Sequence, residues 1–191
     1  TKPYEDWFWE KNRIDLINDY VQNIEISKKQ LSLASGITVN YDKLIIATGS
    51  KSNKFGWKGQ DLAGVQGLYS LQDLHLMEDN SKNISRAVIV GGGLIGIEMA
   101  EMLHSRKIPV TILVREKSYW NNILPDEESE MINRHIAEQG IDLRLSAQLK
   151  EIVSDDNGRA CAVITDKDEE IKCEFVGLTA GVSPNIDLVK N

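Results

Sequence analysis

The sequence has few cysteines and no long apolar run. Its two cysteines, Cys161 and Cys173, have no partners at the spacing of zinc ligands and form no C-x-x-C pair, which excludes a cysteine metal site and a redox motif of that kind. No apolar stretch approaches the roughly 20 residues of a membrane helix, and the opening TKPYEDWFWE lacks the order of a signal peptide. We therefore expect no metal, no membrane contact and a cytoplasmic location.

An excess of positive charge is also missing. The net charge of −7 disfavours a general nucleic-acid surface, because a phosphate backbone repels an acidic domain that has no concentrated basic patch. A local site for an anion is still compatible with this charge. The composition, 41% hydrophobic and 27% charged residues, is typical of a globular chain with a full core. The sequence opens at Thr1 without an initiating Met, which indicates a piece of a longer protein.

The first part of the chain has the pattern of a small antiparallel β-meander. Residues 21–49 alternate and turn, and they end in the nearly all-apolar stretch LIIATG at 44–49, which predicts a strand buried on both faces. Residues 50–67 are rich in Gly, Lys and Asn and have no period, which indicates a connection between domains.

From Leu68 onward the pattern alternates between strands and helices. After a helix with Leu71 and Leu74 on one side, the predicted elements are a strand at 87–90, a helix at 94–106, a strand at 110–114, a helix from Pro125 to Gly140 and a strand at 141–145. Three β segments follow, at 149–153, 160–165 and 171–178. This order predicts the α/β class, with a Rossmann-like parallel sheet, helices and a three-stranded β-meander.

A glycine-rich stretch, VIVGGGLIGIEMA at 88–100, joins a predicted strand to a predicted helix. Gly91, Gly93 and Gly96 match G-x-G-x-x-G, in which the glycines permit a tight turn, the approach of a pyrophosphate and close packing of helix on strand. The alternative is a glycine-rich helix start without a ligand. The candidate cofactor contacts in this loop are Gly91, Gly92, Gly93, Leu94, Ile95 and Gly96.

The sequence leaves the choice of dinucleotide open. An acidic residue that binds the adenosine ribose is expected near Val114, which is not acidic. Arg115 follows and could receive a 2′-phosphate, which predicts that NADPH is tolerated. In the alternative, Arg115 and Lys117 are solvated and Glu116 reaches the ribose. Residues 120–122 form a predicted loop at the edge of the cofactor cleft.

Three collinear stretches resemble the FAD-dependent pyridine nucleotide-disulfide oxidoreductase family. They are YDKLIIATGSKSNK at 41–54, VGGGLIGIEMAE at 90–101 and GLTAGVSPNIDL at 177–188, and together they extend the resemblance over almost the whole chain. Within the family, the chain is most similar to the flavoprotein parts of nitrite reductases and to rubredoxin or ferredoxin reductases.

The resemblance implies an NAD(P)H domain inserted into an FAD domain. Residues 1–60 would be the end of the first FAD-domain segment, a small β remnant that crosses over at Ala47, Thr48 and Gly49; residues 61–176 would be the NAD(P)H domain; residues 177–191 would return toward the FAD domain. The family's N-terminal glycine fingerprint and late Gly-Asp motif are missing from this sequence. We therefore expect NAD(P)H, but not FAD, to bind to the fragment.

The resemblance also implies further cofactor contacts. Ala180 and Gly181 lie in the return crossover near the nicotinamide, and Glu98 matches a carboxylate held near the nicotinamide and flavin. The alternative for Glu98 is an acidic residue favoured by the helix dipole alone. No residue is a convincing acid, base or nucleophile, so no catalytic residue is predicted.

The favoured hypothesis is an NAD(P)H-binding domain of an enzyme that passes hydride from NAD(P)H to FAD and electrons onward to an unidentified acceptor. Its partners would be the missing FAD domain of the same polypeptide, the acceptor and, as an open possibility, further copies of the chain. The alternative is a dinucleotide-sensing or interaction module that transfers no hydride. Cys161 and Cys173 are equidistant from the turn around Lys167 and could face each other across a hairpin, as reduced thiols or as a bridge.

Overall fold

The computed structural model describes residues 3–190, which fall into two compact units. The first unit consists of residues 3–49 and 185–190, and the second is Ser50–Pro184. These boundaries differ from the predicted domain boundaries after residues 60 and 176. Residues 1, 2 and 191, which belong to the first and last predicted segments, lie outside the described residues.

The first unit contains the predicted antiparallel meander. Its elements are α1 (Asp6–Lys11), β1 (Val21–Glu25), β2 (Gln30–Leu33) and β3 (Thr38–Asn40). The strand order is β1-β2-β3, and Leu31 lies opposite both Ile24 and Val39. The meander expected from the alternating pattern is therefore confirmed.

The prediction of a buried strand over residues 44–49 was wrong. These residues form no strand, and the side chains of Ile45 and Ile46 are 90% and 45% exposed. A strand that is buried on both faces needs hydrogen-bonded neighbours as well as apolar side chains, and no strand among residues 3–190 pairs with this segment. Its end is instead tied to the return segment, where Asn185 donates its N–H to the carbonyl of Gly49 at 2.8 Å and accepts a hydrogen bond from the Thr48 hydroxyl at its own carbonyl.

The second unit contains the alternating elements. In chain order they are β4 (Ser50–Ser52), β5 (Val65–Gln66), α2 (Leu71–Asn80), β6 (Ala87–Val90), α3 (Leu94–Ser105), β7 (Val110–Val114), α4 (Asp126–Glu138), β8 (Asp142–Leu145), β9 (Leu149–Ser154), β10 (Ala160–Thr165), β11 (Glu170–Lys172), β12 (Phe175–Leu178) and β13 (Val182–Pro184). Helix α4 follows Pro125 and has three acidic residues in its first turn, where the helix dipole favours them.

A five-stranded parallel sheet forms the centre of this unit. The strand order is β5-β12-β6-β7-β8, and every residue of β6, β7 and β12 is buried. The α/β class predicted from the sequence is confirmed. Among the helices of residues 3–190, none combines the length and the apolar character that crossing a membrane requires.

The two faces of the parallel sheet are covered differently. Ala87 and Ile89 belong to a core cluster with residues of the helices α2, α3 and α4. Val88 and Val90 belong to a second cluster with Ile152 and other residues of the antiparallel strands β9, β10 and β11. Successive side chains of a strand point to opposite faces, so the helices cover one face and the antiparallel sheet β11-β10-β9 covers the other.

The last predicted β segment, residues 171–178, is divided between the two sheets. Its first residues belong to β11 in the meander, and β12 enters the parallel sheet between β5 and β6. Glu174 lies at the division, where its carboxylate accepts hydrogen bonds from the Ser85 hydroxyl at 2.8 Å and from the N–H groups of Ser85 and Arg86. The sequence pattern could not reveal this change of sheet, because both halves of the segment have strand character.

The two crossover segments pair with each other. Strands β4 and β13 are antiparallel, with Ser52 opposite Val182. Residues 50–67, which were predicted to be a connection between domains, contain the two short strands β4 and β5. Strands of two or three residues are too short to produce a recognisable period.

Cys161 and Cys173 lie directly opposite each other on the two arms of the β10–β11 hairpin, as their equal distances from its turn predict. The N–H of Cys173 donates to the carbonyl of Cys161 at 3.0 Å, and both thiols are free. Burial, with smaller contributions from Glu174 and other neighbours, raises the pKa of the Cys173 thiol to about 12. Only the thiolate is a nucleophile, so this thiol is protected in the folded chain.

We expect a thiol reagent at pH 8 to modify Cys161 and to leave Cys173 unmodified in the folded chain, whereas unfolding in urea exposes both. Titration of free thiols with and without urea measures this difference. Cys173→Ala is the control, since it leaves the folded-state count unchanged and lowers the unfolded count by one. Equal reaction rates for both thiols in the folded chain would contradict the assignment.

The same burial predicts a pH dependence of stability. Because the Cys173 thiol ionises near pH 9 when unfolded and near pH 12 when folded, the free energy of unfolding falls as the pH rises between these values.

Candidate functional site

A cleft of about 1120 Å³ opens at the carboxyl ends of the parallel strands in the second unit. This is the edge of an open α/β sheet at which ligands bind. The cleft is lined by Phe55, Trp57, Val90, Gly91, Gly92, Gly93, Leu94, Ile95, Leu113, Arg115, Glu116, Trp120, Asn122, Ile123, Leu124, Ala147, Gln148, Leu149, Thr179, Ala180 and Gly181. All of the predicted cofactor contacts except Gly96 and Glu98 therefore lie in one cleft.

Two glycines of the G-x-G-x-x-G motif are required by the packing of the protein itself. Gly91 has a φ of +126°, and a side chain there would meet the carbonyl oxygen of Thr179 at 2.7 Å. Gly96 is buried in the first turn of α3, and a Cβ atom there would clash with the carbonyl oxygen of Gly91. These glycines allow α3 to pack closely on the ends of β6 and β12.

The middle glycine has no such internal constraint. Gly93 has an ordinary extended conformation, with φ −99° and ψ −179°, and a Cβ atom built on it would have no atom within 4 Å apart from those of its own residue and its chain neighbours. The residue directly precedes α3 and lines the cleft, and glycine has no side chain that could cap the helix. The space beside Gly93 therefore fits a pyrophosphate that approaches the unpaired N–H groups at the start of a helix.

Two residues outside the predicted set hold the glycine loop. The buried Thr179 hydroxyl donates to the carbonyl of Val90 at 3.0 Å, and the Tyr119 hydroxyl donates to the carbonyl of Gly93 at 2.8 Å. Sequence reasoning missed both. Thr179 follows β12 within a stretch that was recognised, but Tyr119 had no signal, since its contact with the loop spans 26 residues.

The residues after β7 form a charged pair at the cleft. Arg115 donates from Nε to Oε1 of Glu116 at 2.6 Å, and their side chains are 75% and 29% exposed. This hydrogen bond is the main cause of a raised pKa at Arg115. Lys117 does not line the cleft, whereas Trp120 and Asn122 of the predicted edge loop do.

Glu98 lies outside this cleft. It lines a separate groove of about 450 Å³ between α2 and α3, together with Leu68, Tyr69, Ser70, Leu71, Leu74, Ile95 and Met102. Ile95 lines both spaces and so marks where they adjoin. The assignment of Glu98 to the nicotinamide stays a prediction.

Aromatic side chains from the segment between β4 and β5 form one wall of the cleft. The rings of Phe55 and Trp57 are 5.2 Å apart in an edge-to-face arrangement. Sequence reasoning missed these residues because their segment has no period. The pairing of β4 with β13 and the hydrogen bond from the Ile152 N–H to the Lys58 carbonyl at 2.8 Å hold the segment at the cleft. Within residues 3–190, no group of three or more His, Cys, Asp or Glu side chains is arranged to hold a metal ion.

Comparison with known proteins identifies the family of the chain. The profile of the pyridine nucleotide-disulphide oxidoreductase family matches residues 6–191, and the chain belongs to this family. The chain is 30% identical over 187 residues to an NADH-rubredoxin oxidoreductase of Clostridium acetobutylicum, an alignment that covers 97% of the chain and 45% of the relative. It is 29% identical over 185 residues to an NAD(P)H nitrite reductase of Bacillus subtilis, covering 96% of the chain and 23% of the relative.

A solved structure has the same fold. A ferredoxin reductase from Rhodopseudomonas palustris superposes with a TM-score of 0.86 at 22% identity, covering 97% of the chain and 46% of that protein. The chain spans less than half the length of the curated relatives it matches. The sequence comparison thus establishes the family, and the structural comparison agrees with the fold.

The different roles of the motif glycines predict different effects on stability. We expect Gly96→Val to lower the free energy of unfolding by about 3 kcal/mol, because the added atoms clash with backbone that cannot move cheaply. We expect Gly93→Val to change it by at most about 1 kcal/mol, the scale of a helix N-cap effect. Urea denaturation followed by circular dichroism measures both. Equal losses of stability for the two variants would contradict the assignment of separate roles.

Proposed function

We propose that this chain binds NAD(P)H as the nucleotide-binding part of an FAD-dependent oxidoreductase. The observation that carries the proposal is the open space beside Gly93, at the start of α3 and inside the cleft. Packing within the protein does not require a glycine at this position, whereas the close approach of a pyrophosphate would require one. Membership of the pyridine nucleotide-disulphide oxidoreductase family supports the same conclusion.

Each part of the cleft would hold a different part of the cofactor. The pyrophosphate would bind at Gly91, Gly92, Gly93, Leu94 and Ile95, because the first N–H groups of a helix have no intrahelical acceptor and the helix dipole favours an anion there. Gly96 would act indirectly, by letting α3 pack close enough to present these groups.

The two ends of the cofactor would be bound by other elements. Arg115 or Glu116, after β7, would contact the adenosine ribose. Ala180 and Gly181, after β12, would lie at the nicotinamide end, with Glu98 in the adjoining groove. The backbone at Gly181 is held by a hydrogen bond from the Asn53 N–H to its carbonyl at 3.0 Å, so this part of the cleft is shaped by both crossovers.

When bound, the nicotinamide supplies a hydride for transfer to FAD, from which electrons pass to an acceptor. The residues of this chain would bind and orient the nucleotide. The apolar walls of the cleft, which include Phe55, Trp57 and Leu149, would exclude water from it. No acid or base from this chain is needed, since the hydride chemistry belongs to the cofactors.

The exposed apolar side chains of the first unit support a role beside a flavin. Trp7, Tyr20 and Ile45 are all exposed, although large apolar surfaces are usually covered in a working protein. We propose that they pack on further FAD-binding residues of the same polypeptide.

The acceptor and the location of the protein are also part of the proposal. Relatives named for rubredoxin suggest a small redox protein as the acceptor of the electrons. The two unbridged cysteines suit a reducing, cytoplasmic setting.

Titration calorimetry of the chain with NADH and NADPH tests the proposal. We expect saturable binding of at least one nucleotide and, in Gly93→Val, an affinity reduced by at least about tenfold, because the new side chain occupies the pyrophosphate space. Thr38→Val is the matched control, since it introduces the same side chain on an exposed strand of the first unit. Binding of neither nucleotide to the unmodified chain would contradict the proposal, as would wild-type binding by Gly93→Val.

The ion pair after β7 predicts how nucleotide preference is set. We expect Glu116→Gln to raise the affinity for NADPH relative to NADH by about tenfold, because it frees the Arg115 guanidinium and removes a carboxylate that would repel a 2′-phosphate. Arg115→Gln should shift the ratio in the opposite direction. Both ratios are measured by calorimetry at one ionic strength, since salt screens exposed charges. If the two variants shift the ratio in the same direction, the pair does not control the preference.

A further inference from the structure

Tyr119 is a fully buried residue beneath the glycine loop, contributed by the segment between β7 and α4. A Cβ atom built on Gly92 would lie 3.7 Å from the Tyr119 ring, and the Tyr119 hydroxyl donates to the carbonyl of Gly93 at 2.8 Å. The side chain therefore contacts the floor of the loop that forms the pyrophosphate space. Burial, with a smaller contribution from Glu101, raises the pKa of this hydroxyl, so it stays a donor throughout the neutral range.

The carbonyl of Gly93 accepts two hydrogen bonds. One comes from Tyr119, and the other comes from the N–H of Ile97 at 3.2 Å, within the first turn of α3. A peptide unit is planar and trans, so its C=O and the following N–H point in opposite directions. Two donors that fix the Gly93 carbonyl on the buried side therefore also aim the N–H of Leu94 away from that side, and Leu94 lines the cleft.

Tyr119 is itself held from the opposite side by α4. Its N–H donates to Oδ1 of Asn133 at 2.9 Å, and Nδ2 of Asn133 donates to the hydroxyl of Ser118 at 2.7 Å. The single amide of Asn133 thus clamps two consecutive residues. Hydrogen bonds through Tyr119 therefore connect α4 to the glycine loop. The glycine motif itself does not call for this connection.

We propose that Tyr119 is a positioning residue that aims the N–H of Leu94 into the pyrophosphate space, with Asn133 orienting Tyr119. The inference rests on the proposed function of the cleft. It adds a residue outside the glycine motif that strengthens recognition of the phosphates without touching the nucleotide. Loss of the hydroxyl should weaken binding of phosphate-bearing ligands and leave the rest of the cleft unchanged.

The test compares the affinities of Tyr119→Phe and of the unmodified chain for two ligands, NADH and adenosine. We expect the affinity for NADH to fall about fivefold, the scale of one hydrogen bond, while the affinity for adenosine, which has no phosphate, stays the same in competition titrations. Tyr41→Phe, in a half-buried position of the first unit, controls for the substitution. An unchanged NADH affinity, or an equal loss for NADH and adenosine, would overturn the proposal.

A measurement without ligand separates this inference from the proposed function. In Tyr119→Phe we expect the amide of Ile97 to exchange hydrogen several-fold faster, because its acceptor, the Gly93 carbonyl, has lost its second donor. If the unmodified chain binds no nucleotide but exchange is faster, the proposed function fails and Tyr119 still positions the loop. Unchanged exchange overturns the positioning role. If Tyr119→Phe does not fold, Asn133→Ala supplies the same readouts, with a smaller change in the same direction expected.

Discussion

The close approach of α3 to the ends of β6 and β12 is the contact on which the rest of the site depends. It exists because Gly91 and Gly96 have no side chains and because Thr179 fills the remaining space with a hydroxyl that bonds to the carbonyl of Val90. The approach brings the start of α3 to the carboxyl edge of the sheet, where unpaired N–H groups create a region of positive potential. The proposed pyrophosphate site depends on this approach.

The second constraint is the pairing of the two crossover segments. Strands β4 and β13 are far apart in the sequence, and their pairing brings Gly181 to the cleft. Together with the hydrogen bond from the Ile152 N–H to the Lys58 carbonyl, it also holds Phe55 and Trp57 there. The walls of the cleft thus come from the connections, whereas its floor comes from the parallel sheet. This arrangement is common in α/β proteins, because a rigid scaffold positions loops that carry the contacts with ligands.

Regular patterns in the sequence predicted most of the second unit, including β6, α3, β7 and α4, because their apolar residues recur with a clear period over many positions. The strand predicted at residues 44–49 failed for a physical reason: apolar composition indicates burial but cannot supply the neighbouring strands that bury it. The predictions for the site residues divide in the same way, between local and long-range features. Gly93 and Arg115 were predicted from the glycine motif and its spacing, and Gly181 from the family resemblance; all three line the cleft. Tyr119 and Trp57 were missed because nothing near them in the sequence indicates what they contact.

By itself the sequence determined the class of the fold, the position of the glycine loop and the family resemblance, since each of these depends on residues close together in the chain. Only the tertiary structure decided that Gly91 and Gly96 serve packing while the space beside Gly93 is open, that β12 leaves the meander for the parallel sheet, and that Tyr119 bonds to the loop. The physical reason is the same in each case. A hydrogen bond or a steric contact between distant segments depends on how closely the packed core brings them together, and a packing distance has no period that a sequence can display.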